Sequence, residues 1–221
     1  MTYALRAKTG SQGNSPNVCT FGISAGDRVL VIVQYADTRS VTSLTDSANN
    51  TYTQIGSPFH NTFNAEYWAA YECLNAAAAT TITLTLDAVS NCIMLVNCYT
   101  GLSTTVAGVK SFLFTNPTTV ITDDTTSGTM APPSAPAVVF GVQGYYAVTP
   151  TVGTGFTDDG QYTGTGMTGT HFVAEHKRVT DTSAVAATFT WPSAGQNTVI
   201  IGVAMPEPGS SSYPIETTLY F

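Results

Sequence analysis

The chain has 221 residues, of which 43% are hydrophobic and only 10% charged, so it can build a core and does not read as a disordered chain. The net charge is −7, with a pI near 4.6. Lys and Arg form no cluster, which excludes nucleic-acid backbones and anionic membrane surfaces as partners.

No run approaches the roughly 20 apolar residues of a membrane span. The opening "MTYALRAKTG" has no apolar h-region, so the expectation is a protein made without Sec export or one whose signal has been cut away. Thr, Val, Ile, Tyr and Phe are common while Lys, Glu and Arg are scarce, which favours strands over helices.

In chain order, strands are predicted at about 3–8, 17–21, 28–36, 40–45, 51–56, 64–74, 80–86, 92–99, 106–115, 118–122, 127–131, 136–144, 168–178, 185–190 and 197–205. Turn signals separate them: "SAGD", "DSANN", "DAVSN", "TNPTT", "APPSAP", "FTDDGQ" and "WPSAGQN". "DRVLVIVQY" and "CIMLVNC" are apolar on both faces, as central strands are. "TITLTLD" alternates, with Ile82, Leu84 and Leu86 facing a core and the threonines facing water. The stretch 40–56 reads as a hairpin reversed at Asn49-Asn50, because Asn tolerates positive φ. "NAAAATT" at 75–81 is too short for more than one helical turn. No internal repeat of 20–50 residues is visible. After Met205, "PEPGSSSYP" reads as a spacer over 206–213 and "IETTLYF" as a strand-like arm.

The four cysteines, Cys19, Cys73, Cys92 and Cys98, form no C-x-x-C and lie in or beside strand-like runs. Reduced core thiols are expected in preference to a disulfide. No catalytic residue, metal site or cofactor is predicted. "GISAG" at 22–26 matches G-x-S-x-G, but a strand follows where a nucleophile elbow needs a helix, so Ser24 reads as a strand-entry turn. His171 and His176 are five apart and so on opposite faces of a strand, which suits no shared metal. Asp46, Asn49 and Asn50 offer closely spaced oxygens, yet read as a turn before a calcium loop. The pairs Asp123-Asp124 and Asp158-Asp159 read as solvated loop acids. Trp68 is expected in the core. Tyr145, Tyr146 and Tyr162 fall in Gly-rich, loop-like stretches and form a candidate glycan platform, since exposed aromatic faces stack on sugar rings.

The order of motifs resembles a β-sandwich module. It has Gly26-Asp27 before an apolar strand, then Asp46, Asn50 and Tyr52 in a D-x-x-x-N-x-Y pattern. Trp68 follows in an aromatic strand, then Tyr99, Gly101 and Leu102 at a strand end. Later "GFTDDG" and "ATFTW" also fit, so the resemblance covers about 20–205. Such modules occur in bacteriophage virion proteins and, looking like carbohydrate-binding sandwiches, in secreted bacterial proteins.

The many short strands without intervening helices, together with the resemblance, imply an all-β fold, a two-sheet antiparallel β-sandwich, jelly-roll-like, over residues 1–205, and the change of composition after Met205 implies a linker and extended C-terminal arm over 206–221. The resemblance implies a non-enzymatic structural protein of a phage virion, either a capsid decoration (cement) protein or a fibre-like surface protein. The expected partners are copies of itself and other virion proteins, assembled in the host cytoplasm. Ile215, Leu219, Tyr220 and Phe221 are the expected assembly-arm residues, adding a strand or anchor to a neighbouring subunit, with closure of the domain's own sheet as the alternative. The alternative is an extracellular or host-adsorption module that binds a surface glycan.

Overall fold

The computed structural model describes residues 3–62, 65–115, 125–126, 129–146, 149–162, 170–190 and 198–211. Among them there is no helix, and every strand pairing is antiparallel. The first half holds β1 (Ala4–Asn14), β2 (Asn17–Ile23), β3 (Arg28–Ala36), β4 (Val41–Asp46), β5 (Thr53–Gln54), β6 (Phe59–Asn61), β7 (Glu66–Cys73), β8 (Ala79–Leu86) and β9 (Asn91–Thr100). The second holds β10 (Val109–Thr115), β11 (Thr125–Thr126), β12 (Ala135–Tyr146), β13 (Thr151–Val152), β14 (Thr157–Gln161), β15 (Thr170–Val179), β16 (Thr188–Thr190) and β17 (Thr198–Ser211).

The two halves share one topology. A large sheet runs β1-β9-β3-β7-β5, with β6 also on β7, and a small sheet runs β2-β8-β4. The second half repeats this as β10-β17-β12-β15-β14 and β11-β16-β13. Only β6 has no counterpart among the described strands. Register supports the match. Ile32 lies between Leu95 and Ala70, and Val142 lies between Ile201 and Ala174. Thr53 is opposite Glu72, as Thr157 is opposite His176. Three residues beyond each threonine stands a glycine with positive φ, Gly56 at 58° and Gly160 at 72°. The repeat spans about half the chain, so a search for short periods passes over it.

Hydrophobic patterning decides how the sheets stack. Leu30, Ile32, Trp68, Ala70, Ile93, Leu95 and Tyr99 of the first large sheet pack against Val138, Phe140, Val142, Phe172, Ala174, Ile201, Val203 and Met205 of the second. The opposite face of the first large sheet carries Val29, Val31, Val33, Met94, Val96 and Cys98. It is covered by Cys19, Ile82, Leu84 and Leu86 of the small sheet. Val173 and Ile200 likewise meet Phe189 of the other small sheet. Large sheets lie inside and small sheets outside. That is why β3 and β9 are apolar on both faces while β8 alternates, its threonines turned away from the core. Each fully buried Val, Leu, Ile or Phe contributes about 1.5–3 kcal/mol, so this shared interior dominates the folding energy.

The all-β reading holds, with four sheets among the described residues where two were expected. Several local expectations are corrected. Residues 40–56 are not a hairpin: β4 pairs with β8 and β5 with β7, so the turn carries the chain from one sheet to another. Asn49 does take the expected positive φ, 58°. "FTDDGQ" is not a turn but contains β14, and Tyr145 and Tyr146 close strand β12 instead of lying in a loop. β17 continues past Met205 to Ser211, through most of the expected spacer. The expected strand at 118–122 and the arm at 214–221 lie outside the described residues.

Candidate functional site

The D-x-x-x-N-x-Y motif is a structural knot. Asp46 ends β4, buried, and its carboxylate accepts hydrogen bonds from Ala48 N (2.9 Å), Asn50 N (3.0 Å), Asn50 Nδ2 (2.7 Å) and Tyr52 Oη (2.8 Å). Burial pushes the Asp46 carboxyl upward, but these donors outweigh it and hold it below the ordinary carboxylate range. Asn50 in turn accepts from Ala77 N at 2.7 Å and donates to Ala77 O at 2.9 Å. The Ala-rich stretch before β8 is therefore pinned as a loop, which explains the missing helix. With both oxygens of Asp46 engaged by donors, the motif is spent on the fold and does not present a calcium loop.

A second polar assembly fastens the connection between halves. Arg28, at the head of β3 and 1% exposed, pairs through Nη2 with the Glu72 carboxylate, itself 3% exposed. Arg28 Nη1 donates to Ser103 O and Val106 O, both at 3.0 Å. Glu72 Oε1 accepts from Gly108 N at 2.9 Å, and Ser103 N donates to Pro206 O at 2.8 Å. The buried ion pair thus holds both ends of the connecting segment to β3 and β7, and the Ser103–Pro206 backbone bond ties that segment to β17. Burial pulls the Arg28 pKa down, and Glu72 opposes it.

The large sheets meet at two corners of related geometry. At one, Lys8 of β1 donates to Gly160 O of β14 and lies over the Tyr162 ring, 4.8 Å from its centroid. At the other, Lys110 of β10 donates to Ser57 O beyond β5 at 2.5 Å. Lys8 faces Asn97 on β9 and Lys110 faces Val203 on β17, so the lysines occupy matching positions and each reaches into the other half. The second corner is open. Ile55, Gly56, Ser57, Pro58, Phe59, Gly108, Val109 and Lys110 line a groove of about 480 Å³. Desolvation there brings the Lys110 ammonium down to about 8.

Other ionisable groups also hold elements together. Arg6 bonds Asp27 at 2.5 Å, and Asp27 caps the turn before β3 through Ser24 N at 2.7 Å. Ser24 therefore sits in the expected strand-entry turn. Glu66 accepts from Gln34, Asn61 and the Trp68 indole. Glu175, buried in β15, accepts from Gly153 N and Thr188 N, each at 2.8 Å. Burial pushes its carboxyl up to about 7 against those two donors. His176 Nδ1 lies 2.7 Å from Asp159 Oδ1, and Arg178 bonds Glu207 at 2.5 Å.

Of the expected site residues, Tyr162 is corrected: it is buried, 5% exposed, and donates to Asn97 Oδ1 at 2.8 Å. β14 and β15 fold its ring into the core, so it cannot serve an open platform. Tyr145 and Tyr146 stand opposite His171 and Thr170 on the backbone, and their side chains lie outside the described residues. So do Asp123 and Asp124, and the arm residues Ile215, Leu219, Tyr220 and Phe221. Trp68 is in the core as expected, and all four cysteines are free and buried. No group of three His, Cys, Asp or Glu able to hold a metal occurs among the described residues. Comparison with known protein families, curated proteins and solved structures gives no match.

Sequence reasoning missed Arg28, Glu72 and Glu175. The signal was present as single ionisable residues inside apolar runs, "DRVLVIV", "WAAYECL" and "HFVAEHK". A charged residue that a strand pattern buries needs a partner. Sequence does not say which.

Proposed function

We propose that this chain is a non-enzymatic structural protein of a phage virion, a decoration or fibre-like surface protein that assembles with copies of itself. In this reading each half is a small jelly-roll-like β-sandwich, and the residues after β17 form the fastening arm. One observation carries it. Six of the seven Lys and Arg side chains are engaged in contacts that hold the fold: Arg6, Lys8, Arg28, Lys110, Lys177 and Arg178. A particle component needs rigidity and resistance to proteolysis, and a polar inventory used as fastening supplies both. The burial of Tyr162 weakens the glycan-platform alternative.

Deleting 212–221 and measuring sedimentation and particle attachment tests the reading. The deleted chain keeps its melting temperature and loses assembly. Assembly that persists unchanged overturns the arm's role.

A further inference from the structure

We propose that Lys8 and Asn97 join through an isopeptide bond, Nζ to Cγ, formed by the fold itself with release of ammonia. The two residues stand opposite one another on β1 and β9. Cross-strand partners share a face of the sheet, with Cβ atoms about 4.5–5.5 Å apart, so the lysine stem can bring its amine to the amide carbon. That face is turned to the second half: Leu95 and Tyr99 lie in the shared core, and Asn97 between them is fully buried. The bond stands whether or not the chain assembles into a particle.

The surroundings suit acyl transfer. Asn97 Oδ1 accepts from the Tyr162 hydroxyl at 2.8 Å, which polarises the carbonyl and is in place to stabilise an oxyanion. Asn97 Nδ2 is buried with no hydrogen-bond partner, so the group that leaves is one the fold does not use. Lys8 Nζ lies over the ring of that same tyrosine, 4.8 Å from its centroid, and donates to Gly160 O. Burial lowers the Lys8 pKa, which favours the neutral amine that attacks. Asp159, next to Gly160, is held through Oδ1 by His176 Nδ1 at 2.7 Å, and its Oδ2 is buried without a partner. Its charge acts on both Lys8 and Tyr162. Lys110, at the matching corner, faces Val203 and has no amide opposite it.

The step balances without a co-reactant. Asp159 takes one proton from the Lys8 ammonium. The neutral Nζ attacks Asn97 Cγ, and the carbonyl π electrons move onto Oδ1 against the Tyr162 hydroxyl. A second Nζ proton passes to Nδ2, the Cγ–Nδ2 bond breaks, and ammonia leaves. It takes up the proton held by Asp159 and departs as ammonium. The product ties β1, at the edge of its sheet among the described strands, to β9, and the one N–H left on Nζ can still donate to Gly160 O. Two costs disappear together, a half-buried charge and an unpaired buried amide.

Mass spectrometry of the intact full chain tests this. The folded chain should weigh less than the unmodified one by one ammonia, and trypsin should release a branched peptide joined at Lys8 and Asn97. Lys8→Met should keep the unmodified mass and melt at a lower temperature. Tyr162→Phe, which keeps the ring, and Asp159→Asn should each slow the loss of ammonia about a hundredfold or more, followed as the fraction modified at fixed times after synthesis. A wild-type chain that keeps the unmodified mass overturns the inference. So does loss of ammonia without the branched peptide, as a succinimide elsewhere would give. Unchanged rates in Tyr162→Phe and Asp159→Asn overturn the roles given to those two side chains.

Discussion

Trp68 and Phe172, which hold matching positions on β7 and β15, meet edge to face with ring centroids 5.8 Å apart. A residue that touches its own counterpart marks an approximate two-fold relation, the arrangement of a symmetric dimer interface built inside one chain. The paired reach of Lys8 and Lys110 follows the same relation. Neither half closes its interior alone, because the face bearing Leu30, Ile32 and Trp68 is completed by Val138, Phe140 and Phe172.

The two halves should therefore unfold together. Calorimetry is expected to give one transition with equal calorimetric and van't Hoff enthalpies. Trp68→Ala should lower stability by about 3–5 kcal/mol and shift that single transition as a whole. Two separated transitions, with only the first responding, would show that the halves are independent.

The Arg28–Glu72 pair is buried and bonded on both sides, so removing one partner strands the other. Glu72→Gln should cost about 3–5 kcal/mol in urea unfolding, since it leaves the Arg28 charge uncompensated and weakens the bond to Gly108. The double change Arg28→Met with Glu72→Leu should cost less than the sum of the singles. Additive losses would mean that the two side chains act separately.

The strand periodicities were legible because burial imposes them. "TITLTLD" alternates since one face of β8 meets water, and "VLVIV" does not since β3 is covered on both sides. Connectivity was not legible. Asp46, Asn49 and Asn50 look the same whether the chain turns back beside itself or crosses to another sheet, because a turn's local chemistry does not encode the partner of the next strand. The topological repeat was hidden for a related reason. Leu30 and Phe140, or Trp68 and Phe172, fill equivalent places with different side chains, and a core asks only for apolar volume. Tyr162 misled because its Gly-rich surroundings signalled a loop, while the burial of its ring depends on β15, which follows it in sequence.

The thiols should be inert in the folded protein. All four cysteines are buried, and desolvation pushes Cys98 up to about 12 and also raises Cys19, Cys73 and Cys92. Iodoacetamide at pH 8 should label none of them within an hour, and all four after unfolding in guanidinium. Reductant should leave the melting temperature unchanged. Rapid labelling of the native chain would contradict the burial.

Stability should fall on both sides of a mildly acidic optimum, for two separate reasons. Asp46 has a folded pKa below its ordinary value. Its contribution is present above about pH 4 and is lost as pH falls through the folded pKa, when protonation sets a hydroxyl against its four donors. Glu175 has the opposite sign. Its folded pKa is raised to about 7, so its contribution is complete below about pH 4.5 and is lost as pH rises through 7. Urea midpoints measured from pH 3 to 9 should therefore peak near pH 5. Asp46→Ala should cost about 2–4 kcal/mol at pH 6 by leaving buried donors unpaired, and should flatten the acid limb alone. Glu175→Gln should flatten the limb between pH 5 and 8 alone. A variant that flattens the wrong limb, or neither, would show that other groups set the profile.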